Sequence, residues 1–304
     1  MDYLWILLAA ASAFFQSLRL AGLKTLNQRM PTLVTTYVRA LFGLPLLIVY
    51  ILALLAVHGG ERPELNATFL AYCTASALLQ LFGTATLIYL FQLGNFAVGT
   101  MLSKVDVIMT ALIGMLLFAQ PVSSTGWVAI LVTLAGVLLV SAGRLRGTLR
   151  AADASAVQTL LGRPTQVGLL TALIFGLSYL TLREAILALE SGSPLYRAGW
   201  GAVTMVFIQF LLLGAWFIVR QPAGLKLALQ NSGLCTFIGV TSALGTIFWF
   251  SASALQNAAY VAAAAQVQLV FNLVISRFYF GERLLRAELV GMLVIVAGVL
   301  LFKL

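Results

Sequence analysis

Long apolar runs separated by short polar punctuation set the pattern of this chain. A hydrocarbon core about 30 Å thick takes about 20 apolar residues of helix to cross. Runs of that order recur ten times, over 3–21, 33–57, 67–91, 96–118, 125–143, 166–188, 195–219, 231–254, 258–280 and 287–302. Stretches such as WVAILVTLAGVLLVSAG are continuously apolar, whereas a membrane β-strand alternates apolar and polar positions. The pattern therefore predicts an all-α polytopic membrane protein with ten transmembrane helices.

The runs also repeat. VTLAGVLLVS (Val132 to Ser141) lies on VIVAGVLLFK (Val294 to Lys303) at a shift of 162 residues. The same shift sets Phe118, Ala119 and Gln120 on Phe280, Gly281 and Glu282, and Asn95 on Asn257. In the first helices of each copy a shift of 164 pairs Arg19 with Arg183, and in the second helices a shift of 158 pairs Arg39 with Arg197. Repeats of this kind decide a fold. The expected organisation is a five-helix repeat over 1–143, a basic connecting loop over 144–165, and a second five-helix repeat over 166–304. Five is odd, so the second copy enters the membrane from the side where the first ended. The fold predicted is a 5+5 inverted-topology repeat, an architecture of secondary transporters whose sites lie near the midplane.

Charge sharpens this picture. Hydrophobic residues make up 62% of the chain and charged ones 9%, and the net charge is +9. Ten of the 18 bases fall in four connections: Lys24 and Arg29; Arg144, Arg146, Arg150 and Arg163; Arg220 and Lys226; Arg283 and Arg286. With ten spans, those loops share one face, which is the pattern of the positive-inside rule and not of a nucleic-acid surface. They read as cytoplasmic, with both termini outside. Equivalent loops of the two copies carry opposite bias, as opposite insertion requires. Cys73 and Cys235 sit inside spans three and eight and read as small hydrophobes. There is no His/Cys/carboxylate constellation for a metal, no cofactor motif, and no Ser/His, HExxH or P-loop pattern, which argues against an enzyme.

Each copy ends in a pattern of the form Phe280-Gly281-Glu282-Arg283 followed by Ala297-Gly298-Val299. With the repeat, this resembles the drug/metabolite transporter superfamily, specifically the EamA-type transporters. The resemblance spans essentially the whole chain. It implies a ten-helix carrier of small metabolites or drugs that hydrolyses no ATP. The first copy departs from the pattern with Ala119-Gln120-Pro121, the proline usual in helices four and nine is replaced near Val107 and Leu269, and the resemblance implies termini inside where the charge pattern puts them outside.

Within the apolar runs a few ionisable and amide side chains stand out. A charged group near the bilayer centre costs at least about 2.5–3.5 kcal/mol on insertion scales, so it needs a function or a partner. Asp106 falls near the centre of span four, with Lys104 two residues before it. On a continuous helix these two point nearly opposite ways, so each requires a partner elsewhere. The repeat sets Gln266 on Lys104 and Gln268 on Asp106, and all four read as facing walls of a polar cavity between the repeats. Arg39 on span two, Arg197 on span seven and Glu184 on span six are further candidates for substrate or coupling roles. Trp249, within Phe248-Trp249-Phe250, is a candidate pocket floor, with ordinary apolar contact as its alternative. Arg19, Arg183 and Arg197 lie near span ends, where snorkelling to the interface is the alternative. A salt bridge from Asp106, for example to Arg39, is the structural alternative for that residue.

Five embedded bases against two acids favour an anionic or zwitterionic solute held by arginine. The expected function is a secondary carrier of an amino acid or organic anion working by alternating access, with the proton as candidate coupling ion. A non-transporting lipid-handling or structural membrane subunit is the alternative. The expected partners are a small-molecule substrate and the lipid bilayer, with no nucleic acid, in a monomer or homodimer. The expected location is the plasma (inner) membrane of a bacterium.

Overall fold

In the computed structural model, residues 3–26, 30, 32–93, 104–152, 162–220, 222–281 and 284–303 are described. Among them every regular element is helical. In chain order these are α1 Leu4–Leu26, α2 Thr32–Val57, α3 Ala67–Leu93, α4 Asp106–Leu117, α5 Ser124–Ala152 and α6 Arg163–Leu187. They continue with α7 Pro194–Arg220, α8 Pro222–Gln230, α9 Ser232–Leu255, α10 Ala258–Ala264, α11 Gln268–Phe278 and α12 Arg286–Leu301. A 3-10 turn, Ala265–Val267, joins α10 to α11.

The starts follow from local chemistry, because the first turn of a helix leaves backbone N–H groups without partners. Asn66 Oδ1 accepts from Phe69 N at 2.7 Å ahead of α3, and Ser123 Oγ from Gly126 N at 3.0 Å ahead of α5. Ser193 Oγ does the same for Tyr196 N at 3.3 Å, and Asn257 Oδ1 for Ala259 N at 2.9 Å.

Eight helices among the described residues are long and apolar enough to cross a membrane, counting 258–278 as one. The expected ten are thus not all present as single long helices. In the fourth, residues 94–103 lie outside the described residues, and the described helix is the short apolar α4. The tenth corresponds to α12, of 16 residues. α5 runs on to Ala152, so the first part of the expected connecting loop is helical. Outward-facing positions such as Leu7, Val49, Leu116 and Phe278 are 68%, 62%, 80% and 84% exposed. So much bare apolar surface is stable against hydrocarbon, not water, and the chain is an integral membrane protein.

The helices cluster into two compact units, and the sequence repeats are interleaved between them. One unit holds α1, α2, the start of α3, the end of α6 from Thr181, and α7 to α9. Its α1 lies on α9, where Ser12 Oγ donates to the Gly245 carbonyl at 2.8 Å and Phe15 stacks on Phe248. Gly43 and Gly239 let α2 close on α9, since a Cβ on Gly239 would stand 2.5 Å from the Phe42 backbone. Cys73 and Cys235 are buried free thiols in this unit, among Phe69 and Leu189 and among Leu26 and Phe217 respectively.

The other unit holds the rest of α3, α4, α5, α6 up to Leu180, and α10 to α12. α5 and α12 form its tightest pair. A Cβ on Gly136 would meet Ile295 N at 2.7 Å, and one on Gly298 would meet Thr133 N at 2.6 Å. The shared AGVLL segment is therefore a helix-contact motif of the small-residue kind.

Candidate functional site

In the second unit, the polar positions singled out by the repeat coincide with the starts of helices. α4 begins at Asp106 after a turn at Lys104 and Val105, and α11 begins at Gln268 after the 3-10 turn. The residues just before, Val105 and Val267, have φ/ψ of −68°/−10° and −55°/−16°. They are equivalent at the 162-residue shift. The expected helix through Lys104 to Asp106 is thus corrected to one that starts at Asp106, and in the second copy the helix tightens into a 3-10 turn at Ala265–Val267. In the second copy a cause is visible. Gln266 Nε2 donates to the Ala262 carbonyl at 3.4 Å, competing with the backbone for that acceptor, as side chains that bond back four residues do when they bend helices. A short 3-10 stretch inside a longer helix is a common form for a functional hinge.

Asp106 and Gln266 are buried, at 6% and 5% exposure, while Lys104 and Gln268 are half-buried. The Asp106 carboxylate is held by Tyr179, whose hydroxyl donates to Oδ2 at 3.3 Å, with the Val107 backbone N–H also donating to it, and the charge of Lys104 acts on it, which corrects the expectation that those two residues each need a partner elsewhere. α6 reaches α4 closely enough for this because Gly176 faces Thr110, where a Cβ would stand 3.2 Å from the Thr110 backbone N. Thr110 Oγ1 is turned inward on its own helix, donating to the Asp106 carbonyl at 2.7 Å. Two buried oxygens here, Asp106 Oδ1 and Gln266 Oε1, have no hydrogen-bond partner among the described residues.

The remaining candidates belong to the first unit. Arg39 Nη2 donates to Gln209 Oε1 at 3.0 Å, joining α2 to α7. Arg197, its repeat equivalent, instead donates from Nη1 to the Leu189 carbonyl at 3.0 Å, just past the end of α6. The reason lies in the repeat. At the 158-residue shift Gln209 falls on Ile51, which has no acceptor, and the free carbonyls at a helix C-terminus attract a cation. Arg183 behaves likewise, with Nε donating to the Gln256 carbonyl at 2.9 Å at the end of α9. Glu184, next to it on α6, is half-buried. Trp249 packs against a core of Leu47, Ala202 and Phe250.

Sequence reasoning missed Tyr179 and Gln209. Gln209 carried a signal, a lone amide in the apolar run FIQFLLLG. Tyr179 carried none, since half-buried tyrosines are ordinary in apolar helices.

Residues 3–142 and 165–304 each match the EamA-like transporter family. The chain belongs to the EamA-like transporter family. That makes this EamA-like protein a membrane transporter of the drug/metabolite type, from a family of transporters rather than enzymes, with a small-molecule substrate. No curated protein matches it. Among solved structures 28 chains match. One of these is a crystal structure described simply as that of a protein, at 11% identity and a TM-score of 0.69, covering 100% of this chain and 98% of that one. The likeness is one of fold.

Proposed function

We propose that this EamA-like protein is a secondary carrier of a small polar metabolite, an amino acid or an organic anion, working by alternating access. In this reading 1–143 and 166–304 are inverted five-helix repeats joined by 144–165. The solute site is formed in the second unit by Lys104, Asp106, Gln266 and Gln268. The observation that carries it is the coincidence of two helix starts, at Asp106 and Gln268, with the repeat-related polar positions. Discontinuous helices near the midplane are where transporters of this kind expose backbone and polar groups to a solute.

Asp106 is then the leading candidate for proton coupling, with Glu184 in reserve. Arg39 and Arg197 take supporting roles, because Gln209 and the Leu189 carbonyl already occupy one guanidinium donor each. The protein acts in a bacterial inner membrane as a monomer or homodimer.

The test is solute counterflow in proteoliposomes with the wild-type chain, Asp106→Asn and Lys104→Ala. Loss of flux by at least tenfold, with detergent melting curves preserved, is expected. Full flux in both variants would remove these residues from the solute path.

A further inference from the structure

At one end of the first unit the short helix α8 ties four longer helices together. Leu26 at the close of α1, Val34 at the opening of α2, Phe217 near the close of α7, Ala228 on α8 and Cys235 at the opening of α9 share one buried core. Pro222 gives up a backbone donor, and α8 follows α7 as a separate helix of nine residues. Small residues seat it. Gly224 and Ala228 are buried one turn apart, and a Cβ on Gly224 would stand 2.8 Å from Val34.

The opposite side of α8 is mixed in character. At about 100° per residue, Lys226 and Leu229 fall across the helix from Gly224 and Ala228, and both are exposed, Leu229 at 66%. A short helix that carries a bare leucine beside a bare lysine suits the plane where acyl chains give way to headgroups. The end of α7 shows the same order of residue types. Trp216 and Val219 are exposed, and Arg220, also exposed, follows Trp216 by one turn. Tryptophan collects at the edge of the hydrocarbon, which sets Arg220 about 6 Å farther out, at headgroup depth. Lys24, two residues before the close of α1, is exposed at the same end.

Among the described residues every charge at this end of the unit is positive. The described acids of the unit belong to its other end: Glu61 and Glu64 follow the close of α2, and Glu184 and Glu190 flank the close of α6. The Glu61 carbonyl there accepts from Tyr196 at the opening of α7. The bases are thus set against apolar side chains and against no carboxylate. A free anion would meet the bases and leave Val219 and Leu229 bare, whereas a phospholipid brings phosphate and acyl chain in one molecule.

We propose that α8, with Arg220, Lys226 and Lys24, is a docking surface for anionic phospholipid. The headgroup accepts charge-assisted hydrogen bonds from the bases, and the chains lie on Val219 and Leu229. A zwitterionic headgroup offers the same phosphate but cancels its charge, so the surface discriminates between lipids. A lipid bound here bears on α7 and α8 together, and through their shared core on the ends of α1, α2 and α9.

The experiment uses the full chain in a neutral detergent and follows melting as phosphatidylglycerol, phosphatidylcholine or inorganic phosphate is added, so that stabilisation gives affinity. Phosphatidylglycerol should stabilise the protein more than phosphatidylcholine does, by a margin that shrinks as salt is raised. Arg220→Gln and Lys226→Gln should each weaken phosphatidylglycerol about fivefold and together about 25-fold, while Arg220→Lys and Lys226→Arg keep it. Leu229→Gln should weaken it several-fold through the lost acyl contact. Arg163→Gln with Arg277→Gln, which removes two exposed bases of the second unit, should leave the wild-type affinity. If the double variant at α8 melts low before lipid is added, the single variants carry the comparison. Equal loss in the Arg163 and Arg277 pair would mean diffuse attraction and overturn the site. Phosphatidylcholine as good as phosphatidylglycerol, inorganic phosphate as good as lipid, or an unchanged affinity in the α8 variants would each overturn it too.

Discussion

The hydroxyl of Tyr179 donates to Oδ2 of Asp106 at 3.3 Å, and it is the side-chain hydrogen bond that holds this buried carboxylate. Tyr179 stands on α6, and helical side chains lean toward their own N-terminus, so its ring reaches back toward the start of α4. A hydrogen bond to a charged group contributes about 1.5–3 kcal/mol. Tyr179→Phe keeps the ring, which stacks on Phe175 at 6.2 Å, and removes the donor. The expected outcome is a KM for counterflow raised about tenfold, equivalent to about 1.4 kcal/mol, with little change in melting. An unaltered KM would leave the bond a structural tie between helices.

Ala119 and Gly281 test the repeat at the level of backbone. They are equivalent at the 162-residue shift, and both take left-handed φ, +49° and +69°. A side chain in that region costs about 1–2 kcal/mol, whereas glycine adopts it freely at some cost in unfolded-chain entropy. Ala119→Gly should therefore stabilise the protein by about 0.5–1 kcal/mol. Gly281→Ala, whose new Cβ would meet nothing within 4 Å, should destabilise it by about 1 kcal/mol. Melting curves in one detergent decide both, and opposite signs are the required result.

The all-α membrane fold and its two repeats were legible because hydrophobic length and the AGVLL repeat are properties of the chain itself. The start of α11 at Gln268 was not, because nothing in Ala262 to Ala265 signals a helix end, with no proline, glycine or capping residue there, whereas the start at Asp106 carried a signal that went unread, Ser103 three residues before Asp106. The polar positions were still found, through repeat arithmetic that set Gln266 on Lys104. Partners were the part hidden from view. Arg39 and Arg197 are equivalent in sequence, yet one has Gln209 on the neighbouring helix while the other turns to a carbonyl. Charge counting weighed the two alike, since it registers a guanidinium without what neutralises it.

The α5 and α12 pair rests on absent side chains, and glycines differ sharply in what they tolerate. A Cβ on Gly136 would stand 2.7 Å from the Ile295 backbone N and 2.9 Å from the Gly291 carbonyl, neither of which can rotate away. Overpacking of this kind costs about 1–3 kcal/mol. Gly136→Ala should lower stability by that order, and Gly136→Val by more. Gly233, near the start of α9, would place its Cβ in open space. Gly233→Ala should raise stability by up to about 1 kcal/mol through helix propensity alone. If both alanine variants melt alike, close helix contact is not what the AGVLL glycine provides.

Arg39 and Gln209 are coupled across α2 and α7 at 3.0 Å, with Gln209 only 1% exposed. Removing one partner of a buried polar pair leaves the other to bear its desolvation, about 1–3 kcal/mol and more for a charge. Removing both for apolar groups of similar shape is far cheaper. Gln209→Leu and Arg39→Met should each destabilise the protein by about 2 kcal/mol or more, and the double variant by less than their sum. A coupling energy of about 1 kcal/mol or larger, read from melting or denaturant curves, fits a structural pair. Additive effects, with transport lost in Arg39→Met alone, would return Arg39 to the solute path.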